Sequence, residues 1–177
     1  CGARPLILNA GFGGALVTLW HSNTRQDTLG LQHSIGKASR LALNKIAARN
    51  SFKKAGIRIP EAETLTNMSS TVKSKKFPVV VKPASSGSSI GLTIVEKNEG
   101  LILALKEAFK YGNEILVEEY IRGRELTVGV LNDKPLSVIE IISTRQFFDY
   151  QAKYTKGLTE YVVPAKIPGK VYKKAQS

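Results

Sequence analysis

The stretch 77–92, FPVVVKPASSGSSIGL, limits what this chain can fold into more than any other. The β-branched run of Val79, Val80 and Val81 leads to Lys82, then breaks at Pro83 into the small residues Ala84, Ser85, Ser86, Gly87, Ser88, Ser89 and Gly91. Branched side chains favour an extended backbone, and a proline followed by serines and glycines ends it. The pattern is a strand, a lysine and a flexible loop. Small residues let backbone N–H groups and hydroxyls close on a polyanion without Cβ clashes, and a lysine at the end of a buried strand supplies a fixed positive charge. That suits a phosphate-binding loop. Taken by itself, the stretch suits equally well a hairpin with a Ser/Gly-rich turn.

With 177 residues, 42% of them hydrophobic, the chain can build the core of one ordinary soluble domain or one and a half small ones. Its single cysteine, Cys1, excludes an internal disulfide framework and favours a reducing compartment such as the cytoplasm. Residues 6–20 are apolar but are interrupted by Asn9 and three glycines, which reads as a strand and loop rather than a signal peptide. No run approaches the roughly 20 apolar residues of a membrane span, so no membrane partner is expected. Lysine plus arginine exceed aspartate plus glutamate by 26 to 14, a net charge of +12. Such an excess fits nucleic acid, but equally anionic nucleotides and carboxylates. Aromatics make up 7% and are not interleaved with the basic clusters, which argues against a nucleic-acid partner. The chain starts with cysteine and stops in the lysine-rich stretch 170–177, so a fragment is expected.

Residues 37–55 have Leu41, Ile46, Ala48, Phe52 and Ala55 at roughly helical spacing, with Ser34 as a cap and Gly56 as a stop. The polar face of this basic helix carries Lys37, Arg40, Lys45, Arg49, Lys53 and Lys54. A strand follows at 62–65, and 78–96 reads as an antiparallel hairpin around the Ser/Gly loop. Asn98 can cap a helix through Tyr111 with Leu101, Leu105, Ala108 and Phe109 on one face, ended by Gly112. Strands are expected at 115–119, 125–131 and 136–142. This order predicts an α+β domain with a largely antiparallel sheet.

Two further stretches carry candidate chemistry. Residues 115–125, ILVEEYIRGRE, form an apolar strand ending in two carboxylates, an unusual pattern unless the strand end faces a ligand. Glu118 can accept from an adenine amino group, the backbone of Glu119 to Ile121 can supply edge contacts, and Glu125 can hold ribose hydroxyls. The alternative makes these glutamates exposed partners of Arg122 and Arg124. Residues 147–156, FFDYQAKYTK, can form a closing loop in which Lys153 neutralises a transferring phosphoryl group and Tyr154 positions a small substrate. His21 and His33 lack partners at ligand spacing and read as structural or surface residues.

Together, VVVKPASSGSSIGL, ILVEEYIRGRELTVGVL and FFDYQAKYTKGLTEYVVPAKIP resemble, in order and spacing, the ATP-grasp superfamily and within it the D-alanine–D-alanine ligase family. The run SRLALNKIAARNSFKKAGIRIPE resembles the opening of that family's central domain. The resemblance implies an ATP-grasp fold, α+β and incomplete at both ends. Residues 1–33 would be a remnant of the N-terminal substrate domain and 34–76 the opening helix and linker. Residues 77–142 would form the small nucleotide-binding subdomain, and 143–177 the mobile loop and the start of the C-terminal subdomain.

The resemblance also implies roles. Lys45 and Lys82 would contact ATP phosphates or the adenine edge, with Ser88 and Ser89 in the loop over the phosphates. Glu118, Glu119 and Ile121 would recognise adenine, Glu125 would hold the ribose, and Lys153 and Tyr154 would occupy the mobile loop. Ser88 and Tyr154 would orient the amino acid, and a tyrosine there favours a dipeptide ligase. Small-molecule substrates, ATP and D-alanine, are implied, as are Mg2+ and a homodimer of the full-length protein. The family's catalytic arginine and magnesium ligands are expected beyond residue 177, so no metal ligand is assigned here and the fragment alone should be inactive. The other readings are a non-catalytic nucleotide-binding module and a basic nucleic-acid-binding domain.

Overall fold

The structure, a computed structural model, describes residues 41–69, 72, 76–132, 134–144, 155 and 157–177. The expected strand and loop over 6–20, the Ser34 cap, both histidines and the positions of Lys153 and Tyr154 lie outside the described residues. These described residues fall into two compact units, Leu41–Arg122 and Gly123–Ser177. The division falls inside the stretch 77–142 expected to form one subdomain.

In the first unit residues 41–43 are helical, and after Asn44 comes helix α1 (Lys45–Lys54). The helix expected over 37–55 is interrupted at Asn44, which takes an extended conformation and whose side chain accepts from the Ile46 and Ala47 N–H groups, both at 3.0 Å. At the other end Gly56 adopts φ +72°, its N–H donates to the Lys53 carbonyl, and the Ile57 N–H donates to that of Phe52. This pair of reverse bonds satisfies the last helical carbonyls, and the left-handed turn favours glycine.

Strands β1 (Ala62–Leu65), β2 (Val79–Pro83), β3 (Thr93–Val95) and β4 (Ile115–Glu119) form a sheet in the order β1-β4-β2-β3, antiparallel throughout. Between β3 and β4 a 3-10 turn (Asn98–Gly100) leads into helix α2 (Leu101–Phe109). Asn98 begins the 3-10 turn and gives α2 no side-chain cap, and the helix ends before Gly112. Side chains alternate along a strand. Val79, Val81, Ile115, Val117, Leu65 and Val95 therefore share one face and pack with Leu101, Ala104, Leu105 and Ala108 of α2 as the core of this unit.

The second unit has its own sheet, in the order β5-β6-β7: β5 (Glu125–Leu131), β6 (Lys134–Ser143) and β7 (Thr159–Val162). It ends in helix α3 (Gly169–Gln176), whose Tyr172 hydroxyl accepts from the Val138 N–H at 3.0 Å. Gln176 Nε2 donates to the Leu136 carbonyl at 2.8 Å. Arg124 makes a two-pronged bond to Glu140, at 2.6 Å from Nε and 2.5 Å from Nη2, and its Nη2 also reaches the Lys166 carbonyl at 2.9 Å.

These hydrogen bonds, with the positive charge of Arg124, hold the buried Glu140 carboxyl below the usual carboxylate range. The unfolded chain therefore takes up more protons in acid. The stabilising contribution is complete above the unfolded carboxylate value and is lost as pH falls through the lowered folded one. Arg124 is half exposed, so solvent screening keeps the contribution modest. Urea titrations across pH are expected to show Glu140→Gln less stable than the wild type near neutrality, with the gap closing in acid. A gap independent of pH would contradict this linkage.

Candidate functional site

The face of the first sheet turned away from α2 carries a different set of residues. The register places Val80 opposite Glu118 and Lys82 opposite Leu116, so Lys82 and Glu118 are diagonal neighbours on this face. Both are buried, at 2% and 1% exposure. Lys82 Nζ donates to Glu118 Oε1, and Arg49 Nη1 of α1 donates to Oε2 at 2.9 Å. Arg49 Nη2 also donates to the Pro60 carbonyl. Burial pulls the Lys82 ammonium below its usual value, opposed by the Glu118 carboxylate. In their ordinary charge states these three groups carry one net positive charge in a place shielded from water. Such a surplus favours an anion.

Each Glu118 oxygen accepts from a cation, and each has a second lone pair for a further donor such as the expected adenine amino group. Glu118 does not pair with the nearby arginines. Arg122 faces Glu96 at 3.8 Å and Arg124 faces Glu140.

Arg49 is the residue that sequence reasoning missed. On a helical wheel it belongs with lysines, and nothing in the periodicity says that this part of the wheel lies on a sheet. Two signals point to it: Lys45 and Arg49 stand one turn apart beside the small Ala48, and a glutamate inside the apolar run ILVEE demands a cation.

Lys45 is also buried. Its ammonium donates to the carbonyls of Pro83 at 2.9 Å, Ala84 at 3.4 Å and Ser86. It therefore sits at the root of the Ser/Gly loop. At the tip, Ser88 and Ser89 take φ of 50° and 61°. Two adjacent non-glycine residues in the left-handed region are uncommon and mildly strained. Gly91 follows at φ 69°, where a Cβ would meet Tyr111 Cδ2 at 2.7 Å. A side chain at residue 91 would therefore clash as well as strain the backbone.

At the end of β4 the Glu119 N–H donates to the Glu61 carbonyl and the Tyr120 N–H to that of Pro78. Among the described residues Ile121 keeps an N–H not engaged in this way, and its side chain is 37% exposed. Glu119 is exposed. Glu125, half-buried, begins β5 in the second unit, opposite Ile141.

A family model described as the D-ala D-ala ligase C-terminus matches residues 47–177. The chain belongs to that family. Similar curated proteins in it include the D-alanine–D-alanine ligase of Citrifermentans bemidjiense, 44% identical over 76% of this chain and 44% of that protein. That of Pelobacter propionicus is 40% identical over 97% of this chain and 59% of that one. This ligase-family chain spans about half the length of the curated relatives it matches.

Among solved structures, the D-alanine–D-alanine ligase of Bacillus anthracis matches with a TM-score of 0.63 at 32% identity, covering 76% of this chain and 45% of that one. A crystal structure of the same enzyme complexed with ATP matches at 0.60 and 31%, with the same coverage. The VanG D-Ala:D-Ser ligase of Enterococcus faecalis matches at 0.62 and 32%, over 76% of this chain and 42% of that one. The α+β architecture expected from the sequence is that of these ATP-grasp ligases.

Removing the shared carboxylate strands two buried cations, a change that typically costs about 3–5 kcal/mol. Glu118→Ala is expected to lower the urea-unfolding free energy by that amount. A loss under about 1 kcal/mol, as at an exposed pair, would mean that the group is solvated.

Proposed function

We propose that this chain is the nucleotide-binding part of an ATP-dependent ligase that joins two D-alanines for peptidoglycan precursor synthesis in the cytoplasm. The observation that carries the reading is the buried group of Lys82, Glu118 and Arg49. It has a positive surplus, and the strand bearing Lys82 runs directly into the Ser/Gly loop. A polyphosphate can neutralise such a cluster and accept from the loop amides at once. Family membership and the ATP-complexed relative support the same nucleotide.

In this reading Lys82 and Arg49 face phosphate charge, and Ser88 and Ser89 cover the phosphates. Glu119 and the Ile121 N–H border the adenine, and Glu125 holds ribose hydroxyls. A carboxylate oxygen of the first D-alanine attacks the γ-phosphorus in line with the departing ADP oxygen, giving an acyl phosphate. The amine of the second D-alanine then attacks the acyl carbon, loses a proton and expels phosphate as the amide forms. Lys153 would neutralise the transferring group, and Tyr154 with Ser88 would orient the amino acid. Mg2+ would accompany ATP. Among the described residues no group of three or more His, Cys, Asp or Glu side chains can hold a metal, so no step is assigned to one. A homodimer of the whole ligase is part of the same proposal.

Among the described residues no helix is long and apolar enough to cross a membrane.

Calorimetric titration of the chain with ATP is expected to show saturable binding that Lys82→Met weakens about tenfold or more, the loss of a charge-assisted hydrogen bond. The activity is tested in a chimera of the Pelobacter propionicus ligase whose matching segment is replaced by this chain. Phosphate release requiring both ATP and D-alanine is expected. ATP binding without D-alanine-dependent turnover in a folded chimera would overturn the ligase assignment.

A further inference from the structure

Arg124 stands between the exposed Gly123 and the first residue of β5, Glu125. Its guanidinium is held on three acceptors of the second unit. Nε and Nη2 donate to the two oxygens of Glu140, at 2.6 and 2.5 Å, and Nη2 also donates to the Lys166 carbonyl at 2.9 Å. The acceptors are themselves fixed. Glu140 is buried in β6, the central strand of its sheet. The Ala165 N–H, next to Lys166, donates to the Val138 carbonyl of the same strand at 2.8 Å.

This fork bears on the register of β5. Leu126 pairs with Glu140 and Glu125 with Ile141, so Leu126 and Glu140 share one face of the sheet and Glu125 stands on the other. Arg124, two residues before Leu126, falls on the Glu140 face. Between Glu125 and the turn that joins β5 to β6, the register shifts at Val128/Val130. A hairpin turn ordinarily sets register, but here an irregularity separates it from Glu125. A slip of one residue would carry Glu125 to the opposite face. It would also pull the fork off the Glu140 carboxylate, and the loss of two charge-assisted bonds opposes it. The end of a strand beside a glycine is prone to local opening, and a carboxylate there must be ordered when it binds. The fork at residue 124 orders it beforehand.

Resting on the reading of Glu125 above, we propose that Arg124 is a positioning residue that makes the site selective for nucleotides with a ribose diol. Its two-pronged bond to Glu140 holds the start of β5 in the register that offers Glu125, on the other face, to the 2′ and 3′ hydroxyls. Arg124 acts through Glu125.

Calorimetric titration with ATP and with 2′,3′-dideoxy-ATP reads this selectivity. The wild type is expected to prefer ATP about tenfold or more, since the dideoxy nucleotide gives up hydrogen bonds to a charged group. Arg124→Gln should cut the preference to about threefold or less and leave the dideoxy-ATP affinity within about twofold. Arg124→Lys keeps the charge without the planar fork, should lose the preference in the same way, and supplies the comparison if Arg124→Gln does not fold. Added to Glu125→Gln, either change should alter the preference no further, whereas independent effects would add. In the nucleotide-free chain, Arg124→Gln should speed amide exchange over 125–127 about tenfold and leave 115–118 within about twofold. Variants that weaken both nucleotides alike, that keep the full preference, or that leave exchange over 125–127 unchanged overturn the proposal. A wild type that binds ATP and dideoxy-ATP equally removes Glu125 from the ribose and the proposal with it. A wild type that binds neither removes the nucleotide reading itself.

Discussion

A single carboxylate, that of Glu118, organises the first unit. It sits toward the end of β4 with 1% exposure and holds Lys82 from the neighbouring strand and Arg49 from α1. Burying three charges in a small sheet domain is unfavourable unless each is paired, and an apolar set of similar volume would serve stability as well or better. Two cations meet on one carboxylate. It also ties α1 to the sheet, so the helix and the site depend on the same contact.

The two faces of the sheet divide the work. Alternation along β2 sends Val79 and Val81 to the core under α2, and Val80 and Lys82 to the opposite face. The apolar face fixes the strands. The other face buries Val80 and Leu116 and also carries the charged group. At the end of β2 the chain leaves the sheet into a loop anchored by Lys45 and shaped by the left-handed Ser88, Ser89 and Gly91. Backbone strain at such a place is compatible with a functional loop, since surrounding structure must over-determine it.

Much of this architecture is legible in the sequence, and what is not has identifiable causes. Strands β4 and β5 have the predicted limits, because β-branched runs bounded by turn residues are a local signal. Periodicity misses the interruption at Asn44, because it continues through that residue although its side chain caps a new helix there. Lys45 and Arg49 read as a solvated face because a helical wheel reports which residues share a side and not what lies against it. Glu118 stands out as functional from its place at the end of an apolar run, but its partners are 69 and 36 residues away, beyond any local pattern. The split into two sheets, and strand β7, depend on long-range pairing in the same way.

The central claim is that the chain binds a nucleotide at one built site rather than attracting polyanions through its net charge of +12. Photolabelling with 8-azido-ATP, followed by peptide mapping, separates the two. The account predicts label confined to peptides from 77–92 and 115–125, abolished by excess ATP and little affected by inorganic tripolyphosphate. Label scattered over the lysine-rich segments and displaced equally by tripolyphosphate would contradict it.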